Sequence, residues 1–201
     1  MQKTPSEKVL DLARQTGVLR ARDLTAHHIP REYLTRLVKQ GVLQRHGRGL
    51  YTLPSAEITE HHSLVQIAAR YPDAVVCLLS ALSFHGLTTQ SPSMVWIALP
   101  KSSRMHKLEY PPLKVCRYSE EAFDAGVTMH QIEGRTVKVY NPAKTVADCF
   151  KFRHKIGLDI AIEALRDAWR QKKASIDQIE KYAAVCRVSR VMRPYLEGLV
   201  G

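Results

Sequence analysis

Apolar residues recur at the spacing of an amphipathic helix in the first part of the chain. Three segments show this spacing: residues 6–15, 20–26 and 30–40. In the third segment, Leu34, Leu37 and Val38 share one face, while Pro30 favours the start of a helix and Gly41 its end. The pattern therefore predicts three helices, of which the second is short.

Two short apolar runs follow the third helix within residues 42–54, which read VLQRHGRGLYTLP. Two glycines lie between the runs, and glycine reaches the positive φ angles that tight turns need. The segment therefore predicts a β-hairpin. Its turn carries Arg45, His46 and Arg48, which is more positive charge than the solubility of a hairpin tip requires.

Helix, short helix, helix and hairpin is the element order of a winged helix-turn-helix domain. In such domains the third helix enters the major groove of DNA, and the hairpin, or wing, lies over the phosphate backbone or the minor groove. The predicted DNA contacts are Arg31, Tyr33, Thr35, Arg36, Lys39, Arg45, His46 and Arg48. A winged helix that makes protein contacts instead is the alternative interpretation.

The rest of the chain mixes strand and helix signals. Strands are predicted at residues 94–99, 113–118, 127–132 and 135–140. Asn141 followed by Pro142 then favours a helix start, and helical spacing continues towards the C-terminus. The expected fold class is α+β, with a winged helix-turn-helix domain followed by a larger α+β domain that has a small, mostly antiparallel sheet and C-terminal helices. We place the two domains at residues 1–55 and 56–201.

The charge distribution strengthens the nucleic-acid hypothesis. The chain has 201 residues and a net charge of +11, which favours a polyanionic partner. Residues 1–55 hold ten Lys/Arg against four Asp/Glu, so the first quarter of the chain carries over half of the excess positive charge. No apolar run approaches the roughly 20 residues of a membrane span, and the polar start lacks the apolar core of a signal peptide. We therefore expect a cytoplasmic protein.

Candidate catalytic or metal-binding chemistry is weak. The four cysteines form no CxxC pair, and neither a phosphate-binding loop nor a nucleophile elbow is present. The histidines do not cluster, so we predict no metal and no cofactor. A nuclease or transferase would need an acidic site from residues such as Asp148, Asp159 and Glu163. Exposed helix faces explain these carboxylates more simply, and we predict no enzymatic activity.

Three stretches, in this order, resemble the AbiEi-family antitoxins, which are bacterial transcriptional regulators of AbiE-type (type IV) toxin-antitoxin systems. They are GVLQRHGRGLYTLP, LLSALSFHGLT and VYNPAKTVADCFKFR. The resemblance implies that the N-terminal domain binds inverted repeats in its own promoter and represses its operon. It also implies that the C-terminal domain counters a nucleotidyltransferase-like toxin without forming a stable complex with it.

Carried over by position, the resemblance assigns Arg31, Thr35, Arg36, Lys39, Arg45 and Arg48 to DNA. It gives no catalytic role to His85, Pro142, Thr145 or Asp148, which resemble structural marks of the second domain. A different class of function stays open: a protein-interaction module that binds an acidic toxin or enzyme through the C-terminal helices. Those helices carry the basic residues Arg166, Arg170, Lys172, Lys173, Arg187, Arg190 and Arg193.

Overall fold

The structure, a computed structural model, describes residues 3–46, 49–56, 58–103 and 110–200. The chain forms two compact units. The first unit comprises residues 1–72 together with 130–137, and the second comprises residues 73–129 together with 138–201. The first unit is thus larger than the predicted domain 1–55, because it includes a further helix and the tip of a hairpin that lies much later in the chain.

The first unit begins with helix α1, Pro5–Thr16. A capping box starts it: the Thr4 side chain accepts a hydrogen bond from the Glu7 amide, and the Glu7 carboxylate accepts one from the Thr4 amide. The helix buries Val9 and Ala13 and ends at Gly17, whose φ of 63° lies in the left-handed region. The predicted first helix is confirmed.

A short strand, β1 (Leu19–Arg20), follows and leads to α2 (Asp23–Ala26). The sequence predicts one helix over residues 20–26, and that prediction is wrong for its first residues. The Leu19 and Arg20 backbones pair with the far strand of the wing, a partner that local spacing cannot reveal. The Arg20 amide also donates to the Asp23 carboxylate at 3.0 Å, which fixes the turn before α2.

Helix α3, Glu32–Lys39, is the predicted third helix, and the wing follows it as β2 (Gln44–Arg45) and β3 (Leu50–Thr52). The wing strands are antiparallel, and β1 joins them in a three-stranded sheet of order β1-β3-β2. The core of this part of the unit is formed by Val9, Ala13, Leu19, Leu24, Ile29, Leu34, Leu37 and Leu43. Helix α4, His62–Arg70, follows the wing in the chain and belongs to the same unit.

The second unit contains most of a five-stranded sheet of order β6-β5-β4-β8-β7. Its strands are β4 (Val75–Val76), β5 (Val95–Pro100), β6 (Leu113–Tyr118), β7 (Val127–Ile132) and β8 (Arg135–Tyr140). The β4–β8 and β5–β6 pairs are parallel, and the β4–β5 pair is antiparallel. The sheet is therefore mixed rather than mostly antiparallel, since strand spacing alone did not show which strands are neighbours.

The hairpin of β7 and β8 has the predicted boundaries. Glu133 and Gly134 connect its strands, and both have positive φ angles, 49° and 74°. This is the conformation of the tight turns that suit the twist of a two-residue hairpin. Residues 130–137, the tip of this hairpin, are counted with the first unit.

The helices of the second unit surround a core centred on α7. In chain order they are α5 (Leu78–Phe84), α6 (Glu120–Asp124), α7 (Pro142–Lys151), α8 (Arg153–Ile156), α9 (Leu158–Arg170), α10 (Ile176–Cys186) and α11 (Ser189–Val200). The Asn141 side chain caps α7 through the Lys144 amide, and residues 143–150 are all buried. The α+β fold class predicted from the sequence is confirmed.

Candidate nucleic-acid interface

Helix α3 has one face in the core and the opposite face in solvent. Leu34 and Leu37 are almost fully buried, with 1% and 3% of their surfaces exposed. The exposed face carries four of the residues predicted to contact DNA: Arg31, Thr35, Arg36 and Lys39. Tyr33 is half-buried and packs against the core, so only part of its side chain is accessible.

The cations of α3 are available for a ligand. No ion pair between described residues involves Arg31, Arg36 or Lys39. Glu32, at the start of the helix, is the acidic residue of its first turn and is also exposed. Three cations on a face of two turns give α3 a positive surface that suits a polyanion.

The wing presents Arg45 to solvent, because both residues of β2 are exposed. His46 follows directly and is half-buried. Its ring lies edge-on to the ring of His62, with the centroids 5.8 Å apart, and its Nε2 is buried with no hydrogen-bond partner among the described residues. Arg48, also predicted to contact DNA, lies outside the described residues.

His62 is held in turn by the tip of the late hairpin. Its Nδ1 lies 2.7 Å from a carboxylate oxygen of Glu133. The other Glu133 oxygen accepts hydrogen bonds from the backbone and hydroxyl of Thr59, both at 2.8 Å. Only 7% of the Glu133 side chain and 14% of the His62 side chain are exposed. A wing residue and a hairpin residue far apart in sequence are therefore linked through one imidazole.

The same tip touches the turn after α1 and the start of α2. A Cβ atom on Gly17 would overlap the Glu133 carbonyl oxygen, and one on Gly134 would overlap the Gln15 carbonyl oxygen. Arg135 donates to the Val18 carbonyl oxygen and lies 3.6 Å from the Asp23 carboxylate. The tip is thus an integral part of the first unit.

Two pKa shifts follow from this packing. Burial would raise the pKa of Glu133, but the hydrogen bonds from His62 and Thr59 outweigh it and hold the pKa below its usual value. Burial, together with the nearby His62, lowers the pKa of His46. Near neutral pH the Glu133 carboxyl group is therefore ionised, and the His46 imidazole is neutral.

Comparison with known families gives these contacts a context. Residues 7–54 match the model of a family described as "Transcriptional regulator, AbiEi antitoxin". Over residues 7–54 the chain is similar to the AbiEi antitoxins. This AbiEi segment, as we call residues 7–54, contains every residue that the sequence predicts to contact DNA, and the family resemblance inferred from the sequence is confirmed.

Most of the chain is also similar in fold to a solved structure. The crystal structure of the RV2827C protein from Mycobacterium tuberculosis superposes with a TM-score of 0.60 at 17% sequence identity. The match covers 92% of this chain and 72% of that one, so the fold extends well beyond the AbiEi segment. No curated protein matches the chain in sequence.

Outside the AbiEi segment, the two other motifs of the resemblance lie in the core of the second unit. His85 Nε2 is 2.7 Å from the Tyr140 carbonyl oxygen, which also accepts from the Thr145 hydroxyl at 3.1 Å. Lys144 and Asp148, both fully buried, form an ion pair of 2.6 Å. Cys186 donates to the second Asp148 oxygen at 3.2 Å, which ties α10 to α7.

The acidic site considered for a nuclease or transferase does not form as one exposed cluster. Asp148 is buried in its ion pair, whereas Asp159 is exposed and Glu163 is half-buried. Within the ranges that the structure describes, no three His, Cys, Asp or Glu side chains are placed to hold a metal ion together. None of the described helices combines the length and the apolar character needed to cross a membrane.

Local sequence signals predicted the exposed face of α3 but not the long-range contacts of the hairpin tip. The contacts of His62 and Arg135 join residues 71 and 117 positions apart, and no periodicity in either segment indicates them. In the sequence, the tip is marked by the Glu133-Gly134 turn with Arg135 directly after it. That pattern does not indicate that the tip packs against the AbiEi segment.

Proposed function

We propose that this protein binds double-stranded DNA through α3 and the wing and represses transcription from its own promoter. The observation that carries the proposal is the exposed face of α3, whose three cations form no ion pair with any described residue. That face lies within the segment that matches a family of antitoxin transcriptional regulators. We retain residues 1–55 as the DNA-binding domain and 56–201 as the antitoxin domain.

On this proposal, each contact has a physical role. Arg31 or Arg36 can donate two parallel hydrogen bonds to the N7 and O6 atoms of guanine in the major groove. Lys39 and Arg45, and Arg48 beyond the described residues, contact phosphates and set the register of the protein on the duplex. Thr35 lies between the arginines and can reach either a base edge or a phosphate. The half-buried His46 and Tyr33 contribute chiefly by packing.

The operator that we propose is a set of inverted repeats in the protein's own promoter. We further propose that the second domain counters a nucleotidyltransferase-like toxin without forming a stable complex with it, as expected for a type IV antitoxin. Support for this part comes from the family match and from the two motifs in the second unit. Co-expression with the product of the adjacent gene would test it, since growth should be restored by this chain while the two proteins fail to co-purify.

The DNA-binding proposal is tested by titrating the full chain against the duplex upstream of its own gene and against a scrambled duplex of the same composition. We expect tighter binding to the upstream duplex and an affinity that falls steeply with salt, because each phosphate contact releases condensed counterions. Equal affinity for both duplexes would contradict sequence-specific repression. Binding that does not change with salt would contradict the phosphate contacts.

A further inference from the structure

A chain of three side chains leads from the wing to the hairpin tip. His46, the residue that leaves β2 for the turn, lies edge-on to His62 at a centroid distance of 5.8 Å and an interplanar angle of 72°. His62 Nδ1 is 2.7 Å from Glu133. Thr59 donates both its amide and its hydroxyl to the same carboxylate. Each link is at least partly buried, apart from the exposed Thr59.

The Glu133 carboxylate determines the orientation of the His62 imidazole beside the wing. Since a carboxylate only accepts hydrogen bonds, the close approach of Glu133 requires a proton on His62 Nδ1. That bond fixes both the tautomer and the plane of the His62 ring. The plane of His62 in turn sets the edge-on packing of His46, and the His46 amide donates to the Leu50 carbonyl oxygen across the wing at 3.0 Å.

We propose that Glu133 is a positioning residue of the DNA-binding wing, which it orients through His62 and His46. The inference rests on the proposed function, because it concerns the wing of that same interface. Glu133 makes no direct contact with DNA in this account. Its role is to keep the wing in the orientation in which Arg45 meets the phosphate backbone.

The direction in which one substitution changes the affinity for DNA distinguishes a positioning role from a purely electrostatic one. Glu133→Gln removes one negative charge, and general attraction between protein and DNA would then tighten binding. A positioning role predicts the opposite, because the amide loses the charge-assisted bond that orients His62. We expect Glu133→Gln to weaken binding to the upstream duplex about tenfold, the ratio that corresponds to a charge-assisted hydrogen bond of about 1.4 kcal/mol.

The matched control is Glu121→Gln in the full chain. Glu121 is an exposed carboxylate on α6 in the second unit, and its substitution changes the net charge by the same amount. We expect this variant to bind the upstream duplex as tightly as the unsubstituted protein, or slightly more tightly. Glu133→Gln should also show a shallower dependence of affinity on salt, by about 0.9 in the log–log slope for each phosphate contact that the wing loses.

A second variant keeps the test decisive if Glu133→Gln disturbs folding. Thr59→Val removes one donor to Glu133 and changes no charge, so it should weaken binding about threefold, in line with the loss of a weaker hydrogen bond. If Glu133→Gln binds as tightly as Glu121→Gln with an unchanged salt slope, or if folded Thr59→Val binds like the unsubstituted chain, the positioning role is overturned. If the unsubstituted chain binds neither the upstream nor a scrambled duplex, the proposed function itself fails instead.

Discussion

At the scale of single residues, the exposure of the α3 cations follows from the apolar residues between them. Leu34 and Leu37 lie three positions apart and are both buried, so the rotation of the helix is fixed. Arg36 and Lys39 then have to lie on the outer side. The charged face is therefore a consequence of the apolar spacing, and the same spacing made it predictable from the sequence.

The wing histidine gives a titration that checks the packing directly. Burial lowers the pKa of His46 below its usual 6.5, and the nearby His62 adds to the effect. The unfolded chain then binds a proton at a higher pH than the folded chain, so stability falls as the pH drops from 6.5 through the pKa of the folded state. We expect an NMR titration of His46 to give a midpoint below 6.5 in the folded protein and near 6.5 in denaturant. A folded-state midpoint at or above 6.5 would contradict the packing of this ring.

The buried ion pair of α7 gives a second prediction for single residues. Burial raises the pKa of Asp148, while Lys144 acts in the opposite direction and favours the charged carboxylate. Lys144→Met removes that partner and leaves a buried carboxyl group without its countercharge. We expect a loss of about 3–5 kcal/mol in the free energy of unfolding, measured by chemical denaturation. The double variant Lys144→Met/Asp148→Leu should recover much of it, and a single variant as stable as the unsubstituted protein would refute the role of the pair.

At the scale of elements, the structure separates what local sequence determines from what tertiary pairing determines. The starts of α1, α7 and α10 were predictable because their caps lie within three residues of the helix start. The strand β1 was not, since its two residues acquire their conformation only by pairing with β3. A serine does not always mark a helix start: α5 begins at Leu78, and the Ser80 hydroxyl within it accepts a hydrogen bond from the Trp96 amide.

The close approach of the hairpin tip to α1 can be tested with two glycines. Gly17 and Gly41 both end helical segments with φ angles of 63° and 71°. A Cβ atom on Gly41 would meet nothing within 4 Å, whereas one on Gly17 would overlap the Glu133 carbonyl oxygen. Alanine at Gly41 should therefore lose only the left-handed backbone preference, about 1 kcal/mol.

Alanine at Gly17 should lose that amount and, because the tip must also move, about 1–3 kcal/mol more. Thermal unfolding of the two variants under the same conditions measures the difference. Equal melting temperatures would show that the tip does not pack against the turn after α1.

At the scale of the whole molecule, charge is unevenly distributed between the two predicted domains. The first fifty-five residues carry over half of the net charge of +11, and the cations of α3 are exposed there. The second unit also has exposed basic residues, including Arg166, Arg170 and Lys181. General attraction to DNA would use both sets, whereas the interface proposed above uses only the first.

The candidate interface was therefore predictable as a charged surface but not as a complete structure. Arg31, Thr35, Arg36 and Lys39 were identified because helical spacing assigns each position to a face. The contacts of Glu133 and Arg135 with the first unit could not be predicted. The hairpin follows the wing by about eighty residues, and its sequence gives no local sign of where the tip will pack. Long-range contacts of this kind depend on the fold of the intervening chain.

The most direct test of the account compares two triple variants that remove equal charge. One replaces Arg36, Lys39 and Arg45 with alanine, and the other replaces Arg166, Arg170 and Lys181. Affinity of each full chain for the upstream duplex is measured at the same salt concentration. We expect the first variant to lose at least about a hundredfold in affinity, from three contacts of about 1 kcal/mol each, while the second stays within about threefold of the unsubstituted protein. Equal losses in the two variants would show that DNA attraction follows total charge and that α3 and the wing do not form the binding surface.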